Sequence, residues 1–429
     1  MNMKVAFYVK NSSFANIDCR SVEIGNPGIG GTWHVILIVA SQLARRNNGI
    51  DVSVFVNEIN DNLPKGPVYY HAKDANNAVQ QADKKNFDYF VLNHNSFNWK
   101  DYDYSGLRSS IKFIPWCHNF VGRHRKGLNE FYKNSRIARV INVGREQMEL
   151  YYDHLAFSKM DYIYNCVPID NNLIEKVYDI PFSKRGHIVT FVGSLRKAKS
   201  FHVLASIWPQ IIKRVPDAEL YVIGSAKLYD QNTELGKYGV AEDSYEKAFM
   251  KYLLDEKGRV LSSVHFMGNL GLEKFEILLK TKVGVPNPLG IGETFCISAV
   301  EMQAMGATVV AMTAPGYFDT FINGKMVSNK EQLVDIITQE LLSDNPFVPY
   351  YDTINSITNK FSVDNVVNDW EILLRKSFSK HIHPLLPIRN RLYHLKWLKI
   401  SLMKIKNKLP FLNKIYNIEY FYYLKSRFL

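Results

Sequence analysis

The chain has 429 residues, 46% of them hydrophobic and 22% charged, which suits two globular domains with sizeable cores and excludes a disordered or low-complexity protein. Its four cysteines, Cys19, Cys117, Cys166 and Cys296, lack the spacing of a metal site or a disulfide framework, and no stretch of about twenty uncharged residues is present to cross a bilayer. The net charge of +12 is unevenly placed: residues 377–429 hold eleven Lys and Arg against the one acid Glu419, or +10, which leaves residues 1–376 at +2.

In chain order, short β-like runs alternate with helical ones, the pattern of parallel sheets covered by helices. "KVAFYV" from Lys4 predicts a first strand, and "TWHVILIVASQLARR" from Thr32 predicts a helix preceded by Gly28, Gly30 and Gly31. Strands follow at "DVSVFV" from Asp51, "DYFVLN" from Asp88, "IKFIPW" from Ile111 and "ARVINV" from Ala138. A polar stretch containing Pro181 then separates this unit from a second alternation. That unit comprises "HIVTFVG" from His187, "AELYVIG" from Ala218, "RVLSSVHFMG" from Arg259, "KVGVPN" from Lys282 and "GATVVAM" from Gly306. Residues 225–246 predict a surface insertion, and "FSVDNVVNDWEILLRK" from Phe361 a closing helix. The expected fold class is α/β with two Rossmann-like domains, 1–168 and 169–376, facing a central cleft. A basic helical tail, 377–429, completes the chain.

Two loops of the second unit point to an anionic ligand. "GETFCISAVE", Gly292 to Glu301, enters a helix near Thr294 to Ile297, and a helix start presents unpaired N–H groups and the positive end of the dipole. Arg196 and Lys199 in "VGSLRKAK" offer cations from the other loop. Glu293 and Glu301 stand eight residues apart, roughly 12 Å along a helix. That is wider than the carboxylate pair of a glycosidase, about 5–9.5 Å, and suited to accepting hydrogen bonds from hydroxyls at two ends of a sugar nucleotide. "DYDYSG", with Asp101 and Asp103, reads as solvated loop and not as a metal site.

The chain resembles the family-four glycosyltransferases of the GT-B fold over most of residues 1–376. The matching segments, in order, are "GIGGTWHV" from Gly28, "PWCHN" from Pro115, "YNCVP" from Tyr164, "FVGSLRKAKS" from Phe191, "VHFMGNL" from Val264 and "GETFCISAVEMQAMGATVVA" from Gly292. The resemblance implies that Glu293 holds donor-sugar hydroxyls, Glu301 the nucleotide ribose, and Lys199 the diphosphate. It implies backbone contacts to phosphate from Thr294, Phe295, Cys296 and Ile297, and an approach to the donor phosphates by Gly31 and Thr32. His118 falls on the donor-sugar side, and Phe266, Met267 and Gly268 on the segment that pairs with the base. The family's usual arginine falls at Ser194, which leaves Arg196 as its expected substitute.

The implied activity is retaining, metal-independent transfer from a nucleotide diphosphate sugar, a UDP-sugar ahead of a GDP-sugar, with no cofactor. The acceptor expected is a saccharide, free or lipid-linked, in bacterial polysaccharide biosynthesis (O-antigen or capsule). Two other readings share features of the sequence. A sugar-nucleotide epimerase shares the fold and the glutamates, and a nucleic-acid-binding protein would use the tail, which combines its bases with ten aromatics. The near neutrality of residues 1–376 argues against nucleic acid as a partner. In the tail, Leu392, Leu395, Leu398, Leu402, Ile405 and Leu409 recur at steps of three and four, with Lys396, Lys399, Lys404, Lys406 and Lys408 around the rest of the helix. This pattern, with Trp397 and "YFYY" from Tyr420, predicts an interfacial helix on an anionic membrane surface, and hence a cytoplasmic protein peripheral to the inner face of the cell membrane.

Overall fold

The computed structural model describes residues 2–108, 110–121, 125–228, 232–376 and 386–409. Two parallel sheets organise it. The first runs β1 (Met3–Val9), β2 (Ile50–Val56), β3 (Val68–His71), β4 (Tyr89–Asn93), β5 (Lys112–Cys117), β6 (Val140–Asn142) and β7 (Met160–Tyr162), in the order β3-β2-β1-β4-β5-β6-β7. The second runs β8 (Ile188–Val192), β9 (Glu219–Ile223), β10 (Val264–Gly268), β11 (Val283–Gly284), β12 (Thr308–Met312) and β13 (Gly324–Val327), in the order β10-β9-β8-β11-β12-β13. These are two Rossmann-like sheets, as the alternation predicts.

The strands read as near-continuous apolar runs because both faces of each sheet are covered. In β1, Val5, Phe7 and Val9 enter one core cluster while Ala6 and Tyr8 enter another, the period-two alternation of a strand buried on both sides. The register follows: Val5 sits opposite Val52, and Phe7 opposite Val54. In β12, Val309 and Ala311 face one cluster and Val310 the other.

One of these clusters runs through both sheet units. It joins Val5, Phe7 and Ile114 to Phe295, Val300 and Phe361. The helix Val363–Arg375 crosses back to the first sheet, where Trp370 packs against Trp116 with ring centroids 4.5 Å apart and against Phe7 at 6.3 Å. Arg46, just after the helix Gly31–Arg45, reaches Asp364 at 3.4 Å and Asn368 at 3.2 Å. The joint between the units is therefore a packed apolar surface with an ionic edge.

The structure departs from the sequence reading at short edge elements. β3, β7 and β13, of three or four residues, carry too few alternations to register in the sequence. The run from Arg259 is strand only from Val264: Val260 makes an isolated antiparallel bridge to Leu254, and Leu261 turns back to donate to the Leu253 carbonyl.

The largest correction concerns the tail helix, Tyr393–Lys408. The periodicity predicts lysines spread over its solvated faces. Instead Lys396, Lys399 and Lys406 are buried against the helix Arg145–Glu149 and the residues after it. Lys396 pairs with Glu146 and Glu149, Lys399 with Asp153 at 3.2 Å, and the Lys406 ammonium donates to the Asp153 carbonyl at 2.9 Å. Leu398, Ile405 and Leu409 are left exposed. The acids on residues 145–153 select this docking, which a one-dimensional leucine count does not register. Tyr420 to Tyr423 lie outside the described residues.

Candidate active site

In each sheet the strand order reverses at one place, beside β1 and β4 in the first and beside β8 and β11 in the second. The loops leaving the C-terminal ends of such strands diverge and open a crevice, where ligands of open α/β sheets bind. The glycine loop before Gly31 and the segment after β5 come from the first sheet. The loops after β8, β9 and β11 come from the second.

Two helix starts meet across this crevice. Gly31 opens the helix Gly31–Arg45 and lies so close to the helix Ile297–Ala304 that a Cβ on it would stand 3.1 Å from the Ile297 Cδ1. Neither Gly30 nor Cys296, the residues that precede the two helices, gives a side-chain capping bond, and neither first turn contains an acid. Both ends therefore present N–H groups and positive dipole ends to the same space, an arrangement that favours an anion. Thr32 is half-buried at the first of these starts. At the second, the Thr294 hydroxyl donates to the His118 carbonyl at 2.7 Å and ties the crevice walls together.

Glu293 is buried before that second helix and is held from two sides. It forms an ion pair with Lys199, and its Oε1 accepts from the Asn287 side chain at 3.1 Å. Asn287 is itself fixed: its carbonyl accepts from the Tyr317 hydroxyl at 2.6 Å, and its amide also reaches the Ala198 carbonyl at 3.3 Å. Lys199 is aimed by the next residue, Ser200, whose φ of 57° is in the left-handed region, at a cost of about 1–2 kcal/mol for a residue with a Cβ. The loops after β8 and β9 also approach closely. A Cβ on Gly224, whose φ is 129°, would stand 2.0 Å from the Gly193 carbonyl oxygen, so only glycine fits there.

Glu301, inside the helix, is buried and pairs with Lys274, whose ammonium lies 2.7 Å from its Oε1. Lys274, the first residue of the helix Lys274–Leu278, and Asn287, in the loop after β11, carry no motif signal. A cavity of about 70 Å³ lies beside Lys274, between Gly28 and Ile29 of the first unit and Gly193 and Gly224 of the second.

His118 follows β5, packs in a tilted contact against Trp116 with centroids 4.7 Å apart, and has an Nε2 without a hydrogen-bond partner among the described residues. Burial, with a smaller contribution from His94, pushes its pKa down to about 3. Burial similarly pushes the Cys296 thiol up to about 12, which makes it a poor nucleophile.

The Arg196 guanidinium turns to the Ala226 carbonyl, at 3.3 Å, and lines a separate cavity of about 600 Å³ with Lys197, His202 and Tyr245. Ser194 is buried. The Phe295 ring packs against Phe361 at 5.1 Å and Tyr164 at 6.1 Å, inside the joint. The Phe266 ring packs on Phe201 at 6.1 Å, whereas Met267 is exposed and the Gly268 carbonyl accepts from the Gly224 amide at 2.7 Å. Asp101 and Asp103 are exposed in a turn. Among the described residues no group of three or more His, Cys, Asp and Glu is arranged to hold a metal ion.

Residues 186–344 match the family model described as "Glycosyl transferases group 1". No curated protein matches the chain. The fold is that of several solved structures. HepE from Anabaena, solved in complex with UDP, is 13% identical with a TM-score of 0.61, over 87% of this chain and 99% of that one. A glycosyltransferase from Rickettsia africae is 15% identical with a TM-score of 0.58, over 88% and 100%. The catalytic domain of Starch Synthase IV from Arabidopsis thaliana, bound to ADP and acarbose, is 11% identical with a TM-score of 0.55, over 87% and 98%.

Proposed function

We propose that the protein is a glycosyltransferase that moves a sugar, with retention at the anomeric carbon, from a nucleotide diphosphate sugar to a saccharide hydroxyl. The observation that carries this reading is the convergence of two side-chain-uncapped helix starts, at Gly31 and Ile297, beside the Lys199–Glu293 pair. Departure of the nucleoside diphosphate builds negative charge on phosphate oxygens, and preorganised dipoles and an ammonium aimed there lower that barrier. In this reading Glu293 holds donor-sugar hydroxyls, Glu301 the ribose, and helix starts with basic side chains take the place of a metal. HepE has been solved with UDP, UDP-glucose, and UDP and glucose, which supports a uridine donor.

The acceptor in this reading is lipid-linked, and the protein sits on the inner face of the cell membrane during polysaccharide synthesis. The exposed Leu398, Ile405 and Leu409 of the tail helix support a surface attachment, and no helix among the described residues is long and apolar enough to cross a membrane. The buried lysines weigh against a nucleic-acid role for the same helix.

A thermal-shift screen against UDP- and GDP-sugars tests the donor, because a ligand bound to the native state alone raises its stability by mass action. Product analysis then separates transfer from epimerisation: transfer releases nucleoside diphosphate and extends an acceptor, whereas epimerisation returns an isomeric nucleotide sugar and consumes no acceptor. Turnover should persist in EDTA; loss restored by a divalent ion would rule out the metal-free mechanism.

A further inference from the structure

We infer that Lys274 is a nucleotide-binding residue, the cation that meets the ribose-proximal phosphate of the donor. The inference rests on the donor reading above and assigns a residue to it that the motifs leave out.

Three observations lead to it. Arg196, the expected second cation, contacts the Ala226 carbonyl and lines the other cavity, and Ser194 is an uncharged residue. Lys274 is the one cation among the residues lining the crevice cavity, where it faces the glycine loop of the first unit. It is also buried, with its side chain 6% exposed and that of its partner Glu301 3% exposed.

A buried lysine–glutamate pair is an expensive way to hold a helix in place, since the desolvation of both charges offsets most of their attraction. Two apolar side chains would pack the same space at lower cost. A pair retained at the wall of a crevice is explained when a ligand uses it. The ammonium has three N–H donors, and Glu301 Oε1 takes one of them. If Glu301 accepts from the ribose hydroxyls, Lys274 stands at the ribose end of the ligand. The first phosphate is joined to that ribose through a single methylene and ester oxygen, so it comes within reach of the remaining donors. Lys199, paired with Glu293, then serves the far phosphate and the sugar. The two lysine–glutamate pairs divide the donor between them.

The test is calorimetric binding of UDP, UMP and uridine to the full-length protein and to Lys274→Met, Lys274→Arg and the double variant Lys274→Met/Glu301→Met, with each variant's thermal midpoint measured alongside. Lys274→Met should lose UDP and UMP affinity by roughly ten- to hundredfold, the scale of one charge-assisted hydrogen bond, while uridine affinity changes less than about twofold. Lys274→Arg should recover most of the loss. The double variant, which leaves no buried charge unpaired, keeps the phosphate question open to measurement if the single one unfolds: its loss of UDP and UMP affinity should exceed its loss of uridine affinity by roughly tenfold or more, and equal losses for all three would overturn the inference. UDP affinity within twofold of wild type in a folded Lys274→Met protein overturns the inference, as does an equal loss for UDP and uridine, the mark of a purely structural role. Should the wild-type protein bind uridine and guanosine nucleotides not at all, the donor reading itself fails, and the inference with it.

Discussion

Lys199 and Glu293, 94 residues apart in sequence, form an ion pair at the mouth of the crevice, with the Lys199 side chain about one-third exposed and that of Glu293 nearly buried. An arriving diphosphate competes with Glu293 for the ammonium. Because the charge on the leaving group grows towards the transition state, this interaction strengthens as the reaction proceeds. Lys199→Ala should therefore lower kcat by roughly 10²–10³, the cost of removing one preorganised donor, with a smaller effect on KM. Steady-state kinetics with the identified donor measures the split. A variant in which only KM rises makes Lys199 a ground-state binder.

The ring of His118 makes a different pH prediction. With a folded pKa of about 3 against an ordinary value near 6.5, the native state binds fewer protons than the unfolded chain between those pH values. The neutral ring thus contributes stability that is full above about pH 6.5 and is lost as pH falls towards 3. The difference in thermal midpoint between wild type and His118→Asn should shift against wild type as pH is lowered from 7 to 4.5. In kcat/KM, no inflection between pH 5 and 8 should disappear in the variant, because the ring stays neutral throughout. An inflection near pH 6.5 that the substitution removes would show that His118 titrates as an ordinary acid or base.

The sequence made the two sheets legible because buried parallel strands leave apolar runs, as Val5 to Val9 in β1 and Tyr89 to Leu92 in β4. The glycine loop and the Glu293 segment were legible through their spacing and their family resemblance. Lys274 and Asn287 were not, because each joins the site only through a side-chain contact, Lys274 to Glu301 on another helix and Asn287 to Glu293. Their signal is a pairwise distance, such as the 2.7 Å from Lys274 to Glu301, with no counterpart along the chain. Arg196 is a related case: its guanidinium reaches the carbonyl of Ala226, thirty residues later, a contact that the loop sequence does not signal.

Asp319 stands where the two units and the segment between them meet. Its carboxylate accepts from the Glu146 amide at 2.9 Å and from the Tyr164 hydroxyl at 3.0 Å, and burial pushes its pKa up to about 6. A carboxyl that is harder to ionise in the native state holds a proton that the unfolded chain releases. Its contribution to stability is therefore full below about pH 4 and declines as pH rises through about 6. Relative to Asp319→Asn, wild type should lose stability between pH 4 and 6.5, the reverse of the His118 trend. Thermal midpoints of both proteins across that range decide it, and a difference that grows in favour of wild type with pH would contradict the assignment.

The docking and the proposed attachment of the tail helix use different faces. Lys396 lies fully buried between Glu146 and Glu149, so Lys396→Met leaves two carboxylates facing an apolar side chain, a defect worth about 3–5 kcal/mol when the site cannot relax. Here it can relax, because the helix is free to undock and let water reach the acids. The loss is thus capped by the docking free energy, and Lys396→Met should lower stability no more than deletion of residues 386–429 does. Attachment to lipid, in contrast, rests on Leu398, Ile405 and Leu409, each about half exposed, where burial is worth up to about 1.5–3 kcal/mol per side chain. The exposed Lys404 and Lys408 add a smaller electrostatic attraction to anionic headgroups. Sedimentation with anionic vesicles should therefore show a larger loss of binding for Leu398→Asn/Ile405→Asn than for Lys404→Ala/Lys408→Ala, and high salt should weaken binding without abolishing it. Deleting residues 386–429 should release the protein while nucleotide binding persists. Equal vesicle binding by full-length and truncated proteins would remove the membrane from the proposed function and leave the helix as a structural brace for residues 145–153.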